Sequence, residues 1–206
     1  MYSLMLMDDV VREIDRAAYL HNTNRSNLVN QILAEYLNVS TPEMICKEVF
    51  RKITELISAE PFQIALPVSG SSLSIRSSLQ YKYRPTIKYS IELYRSFSDN
   101  IGELTVAFRT QSLQLLGELA EFFNYWLGIE EQYSDCEMQY LPQVGKFIRK
   151  ININGEYSHQ DISRALSNYI LMFDQILKNF LAKKYKTYED IAIDYANLRR
   201  EYRLDI

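Results

Sequence analysis

The first forty residues hold one short strand pattern and two short helix patterns, a set too small to enclose a core by itself. Residues 2–7 alternate, with Tyr2, Leu4 and Leu6 on one face and Met1, Ser3 and Met5 on the other. Asp8 and Asp9 break the pattern and suit a helix start, where unpaired backbone N–H groups favour negative charge. Val10, Val11, Ile14, Ala17 and Ala18 then recur at helical spacing, with Arg12, Glu13, Asp15 and Arg16 between them. After a turn at residues 21–24, Asn24 is placed to cap a second helix. Its apolar stripe is Leu28, Val29, Ile32, Leu33, Tyr36 and Leu37, and residues 38–42 end it. A single strand leaves both edges unpaired. The simplest remedy is a second copy of the chain, with two strands paired as an antiparallel ribbon over four helices.

This order resembles the ribbon-helix-helix family of DNA-binding proteins (the Arc, MetJ and CopG type). The residues that carry the resemblance are Leu4-x-Leu6, Asp8-Asp9-Val10, and Asn24-Arg25-Ser26-x-Leu28-Val29-x-x-Ile32-Leu33. It covers about the first fifth of the chain. The resemblance implies an intertwined dimer whose ribbon enters the major groove, with Met1, Ser3 and Met5 towards base edges. It also implies a phosphate held at the start of the second helix by Asn24, Arg25 and Ser26. The sequence departs from the family in charge. Met5 offers only apolar contact, and residues 1–40 carry three arginines against five acids, a net of −2. Cations normally supply much of DNA affinity. A module that only pairs two chains is therefore the alternative reading.

From Pro42 the chain changes character. Pro42 suits a first helical position, and Ile45, Val49, Phe50, Ile53, Leu56 and Ile57 form the stripe of a connecting helix over residues 41–60. Residues 61–206 read as a separate α+β domain. Strands are expected at 62–68, 72–84, from Ile87 to Phe97, and around Leu104, Val106 and Phe108, as a three- or four-stranded antiparallel meander. The polar side of this sheet carries Arg76, Lys82, Arg84 and Lys88 with little acid. Without an aromatic among them, they read as a solvated face.

Helices dominate afterwards. One runs over residues 111–127 and is expected to stop at Gly128, with Phe122, Phe123 and Trp126 as core. Glu130, Glu131 and Asp135 read as a solvated acidic patch. A strand is expected from Lys146 to Ile153, ended by Asn154-Gly155. Ser158 and Asp161 form a capping box for a long helix, and His159 in its first turn reads as surface. Thr187 and Asp190 open a last helix whose Ile191, Tyr195, Leu198 and Tyr202 suit packing on another helix, from a partner chain or from this one.

Several classes are disfavoured. Cys46 and Cys136 are too scattered, and the two histidines too few, for a zinc site, so no metal or cofactor is expected. No nucleophile–base set or glycine-rich phosphate loop can be assembled, so an enzyme is not expected. No apolar run reaches a membrane span and no leader is legible at the N-terminus, which points to the cytoplasm. The expectation is a dimeric, sequence-specific DNA-binding regulator. Its partners would be operator DNA and a second copy of itself. Residues 61–206 would serve assembly, or take a small-molecule or protein effector. The alternative is a non-enzymatic interaction protein that uses the module only to dimerise.

Overall fold

The computed structural model describes residues 4–57, 61–65, 70–82, 84–94, 100–152 and 157–202. Among these the fold is α+β, with six helices and one six-stranded antiparallel sheet. The chain forms two compact units, Met1–Ile45 and Cys46–Ile206. The division falls inside a helix, not at a loop.

In the first unit, helix α1 (Asp8–Leu20) begins after an extended Met7 and carries Asp8 and Asp9 in its first turn, where the dipole favours them. Helix α2 (Arg25–Leu37) is capped as its sequence predicts: the Asn27 N–H donates to Asn24 Oδ1 at 2.9 Å. Asn38 ends it in the left-handed region. Helix α3 (Pro42–Ile57) opens with Pro42, and the Met44 N–H donates to Thr41 Oγ1 at 3.2 Å. Among the described residues, three helices thus precede any strand. Residues 4–7 make no strand pairing among the described residues, and residues 1–3 lie outside them.

In the second unit the strands are β1 (Gln63–Ala65), β2 (Ser72–Ser78), β3 (Thr86–Leu93), β4 (Asn100–Phe108), β5 (Met138–Leu141) and β6 (Lys146–Asn152). Their order across the sheet is β1-β2-β3-β4-β6-β5, with every neighbour antiparallel. The expected meander is therefore extended by two strands at the β4 edge. The expected strand over 72–84 is shorter than its alternation. Ser78 is its last residue, and the hairpin closes through the Leu79 N–H on the Pro85 carbonyl and the Arg84 N–H on the Tyr81 carbonyl. Alternating residues simply continue into the turn, where Arg84 takes a positive φ of 44°. Val68, Tyr83, Phe97, Asn154 and Gly155, which belonged to expected strands and turns, lie outside the described residues.

One face of the sheet is the core. Leu73, Ile75, Ile87, Tyr89, Ile91, Leu104, Val106, Phe147 and Ile151 are buried there at alternate positions. Helix α4 (Leu113–Glu130) and helix α5 (His159–Leu181) cover it. The Phe123 ring of α4 lies 5.2 Å from Phe147 and 5.6 Å from Phe108, and Phe173 of α5 lies 6.1 Å from Tyr89. Each such fully buried side chain contributes roughly 2–3 kcal/mol. Both halves of the Ser158–Asp161 capping box form at the start of α5. Helix α6 (Tyr188–Tyr202) packs its Tyr195 ring 5.2 Å from Trp126, so Ile191, Tyr195 and Leu198 are buried within the same chain. No partner chain is needed to cover that stripe.

Helix α4 does not stop at Gly128 as its sequence suggests. It runs two residues further, because Ile129 and Glu130 are needed inside. A tight approach also fixes Gly102 on β4, where a Cβ would stand 2.2 Å from the Glu92 carbonyl oxygen of β3. Among the described residues, no helix is long and apolar enough to cross a membrane.

Candidate nucleic-acid interface

The first unit leaves most of its apolar surface uncovered. Among the described residues, only Ala18, Leu28 and Ala34 are buried there, and twelve of the seventeen exposed large hydrophobic residues lie in it. Those on the helices include Tyr19, Leu20, Ile32, Leu33, Tyr36 and Leu37, and the lead-in holds Leu4, Met5, Leu6 and Met7. Between α1 and α2 runs an open groove of about 470 Å³, lined by Val10, Ile14 and Ala17 on one side and Leu28 and Ile32 on the other. An exposed apolar patch of this kind marks an interaction surface.

The six residues expected to meet DNA fall into three situations. Met1 and Ser3 lie outside the described residues. Met5 is 98% exposed and touches no core. Asn24, Arg25 and Ser26 come together at the start of α2, all exposed. Asn24 spends its side chain on the cap. The backbone N–H groups of Arg25 and Ser26 find no acceptor among the described residues, as expected for a helix's first turn.

Arg25 is engaged. Its Nε and Nη2 donate to the two oxygens of Asp15 on α1, at 2.6 and 2.5 Å. These hydrogen bonds hold the Asp15 carboxyl below its usual range and raise Arg25. No local pattern signals this fork, because the partners stand on separate helices.

Two sealed polar clusters in the second unit were not visible in the sequence. Glu130, expected on the surface, is fully buried: Arg149 Nε donates to one of its oxygens at 3.2 Å, and the Tyr195 hydroxyl to the other at 2.9 Å. Glu131 and Asp135 are exposed as expected. The Arg149 guanidinium also lies 4.7 Å from the centre of the Tyr169 ring, whose hydroxyl accepts from Trp126 Nε1. Burial, then the neighbouring Glu130, raises the Tyr195 phenol. In the other cluster, the Tyr89 hydroxyl donates to buried Asp174 at 2.8 Å, and Lys178 bridges Asp174 and Ser77 at 2.5 and 2.6 Å. Burial, then Asp174, holds Tyr89 well above its ordinary range. Both clusters satisfy their own charges in the core, the arrangement that holds a fold in register.

His159 is half-buried in the first turn of α5. Cys46 is buried and Cys136 half-buried. Among the described residues, no three His, Cys, Asp or Glu side chains gather as a metal site would require. Compared with family models, with curated proteins and with solved structures, the chain finds no match.

Proposed function

We propose that this chain is a dimeric, sequence-specific DNA-binding regulator whose first unit is a ribbon-helix-helix module completed by a second copy. The observation that carries the reading is the uncovered apolar surface of the first unit. A segment this small cannot hold itself together with three buried side chains. A second copy offers the same groove and the same lead-in. Met7 is extended, and residues 4–7 have no strand partner among the described residues, as a strand that pairs only with its counterpart requires. Two free N–H groups at the start of α2 are the donors that a phosphate would take. The second unit then serves assembly or takes an effector.

A specific observation favours a second reading, in which the module only joins two chains. Arg25 is held by Asp15, and residues 1–40 carry a net charge of −2.

A footprint at Met5 tests the regulator reading. In a Cys136→Ser background, Met5→Cys is alkylated with and without fragmented genomic DNA. The regulator reading expects the dimer to alkylate slowly when DNA is present. Equal rates in both conditions, from a dimer, leave pairing as the module's only role.

A further inference from the structure

We infer that the open face of the sheet, at the end where β2 and β3 meet, is a second contact surface for the phosphodiester backbone of duplex DNA. This rests on the regulator reading and supplies the cations that the first unit lacks.

The charge is segregated in the sequence. Residues 61–91, 104–117 and 138–155 contain eight Lys and Arg and no Asp or Glu, while the whole chain is at −3, so the remainder is at −11. The fold gathers the exposed members of these three windows at one end of the sheet. Arg76 stands opposite Lys88, Lys88 opposite Ala107, and Ala107 opposite Lys146. With strands about 4.8 Å apart, this row puts three cations within roughly 15 Å on the face away from the helices. Lys82 and Arg84 in the hairpin and Arg109 just beyond β4 extend it, and all six cations are exposed.

Like charges directly opposite on neighbouring strands destabilise a sheet. Arg76 and Lys88 are such a pair, and among the described residues neither they nor Lys146 meet a carboxylate. An anion lying along the row removes that repulsion. Most of the residues beside them are short: Ala107 in the row, and Ser74, Ser90 and Thr105 in the next, which continues to Ile148 on β6. The surface is therefore flat enough for a backbone to approach. At the opposite end of the same face stand Glu92 and Glu103, the latter bonded to Lys150 at 3.0 Å, so among the described residues the hairpin end is the one that attracts a polyanion. No aromatic residue occupies these rows, which removes the stacking platform that a single strand needs. Contact of this kind positions a duplex without reading it.

The test uses the full chain and a short labelled duplex of mixed sequence, titrated over a range of salt. Arg76→Ser, Lys88→Ser and Lys146→Ser are combined in one variant. A control with the same charge loss carries Lys184→Ser, Lys186→Ser and Arg200→Ser at exposed positions elsewhere. The inference expects the sheet variant to bind about tenfold more weakly or worse, with the salt slope reduced by about 2 to 3, and the control to stay near the parent. The sheet variant should fold at least as stably as the parent, since it loses a like-charge pair. A sheet variant that binds like the parent, or a control that loses as much, overturns the inference and leaves the regulator reading standing. A parent that binds no duplex at low salt overturns both. A sheet variant that keeps duplex binding but loses polyglutamate assigns the face to an acidic protein, and so overturns the DNA assignment.

Discussion

Arg25 and Asp15 tie α1 and α2 together by a two-pronged hydrogen bond, which places a carboxylate on the guanidinium that the module would otherwise offer to a phosphate. Both side chains are about half exposed, so solvent screens the pair and a phosphate can compete for the arginine. Asp15→Asn is therefore expected to strengthen duplex binding and steepen its salt dependence, and Arg25→Ala to weaken it. Fluorescence anisotropy of a labelled duplex checks both. Equal affinities for parent and both variants would remove Arg25 from the interface.

Ile32 lines the groove between α1 and α2 and is 48% exposed in one chain. At a solvated position Ile32→Asp costs little, whereas at a dimer core it buries an unpaired charge. Sedimentation is expected to find the parent as a dimer and Ile32→Asp as a monomer. A dimer unaffected by the change would place its interface elsewhere.

Glu130→Gln removes a carboxylate that pairs with the buried Arg149 charge. The expected loss of stability is about 3–5 kcal/mol by denaturant unfolding. Adding Arg149→Met to the same chain should restore part of it, because the buried charge is gone. Additive losses in the double variant would contradict a direct coupling.

Glu48 of α3 accepts two hydrogen bonds from Arg51, at 2.9 and 2.7 Å, with Lys52 beside it. They lower its pKa from 4.5 to about 2. Since the folded value lies below the unfolded one, the stability gained is present above about pH 4.5 and is lost as pH falls towards 2. Parent and Glu48→Gln should differ in urea midpoint at pH 6 and converge near pH 2. A constant difference across that window would contradict the linkage.

What the sequence made legible was local. Asn24, Pro42, the Ser158–Asp161 box and the Thr187–Asp190 start each act within one turn of helix, and all four stand at helix starts in the structure. The burial of Phe122, Phe123 and Trp126 followed from their spacing. What failed was decided at a distance. Glu130 reads as surface beside Glu131, yet its partners are 19 and 65 residues away. Gly128 reads as a helix stop, yet those same contacts carry α4 past it. The cationic row was half visible: Arg76 and Lys88 alternate on one strand pattern each, but Lys146 joins them only through the β4–β6 register. The acid-free windows were the signal that would have linked all three.

DNA recognition by a dimer is tested most directly by selection of bound fragments from genomic DNA by the purified full chain, followed by the stoichiometry of the enriched site. The expected site is a short inverted repeat that takes two chains, or a multiple of two, and that loses affinity steeply with salt. A chain shown to be dimeric that enriches no sequence at low salt would contradict it.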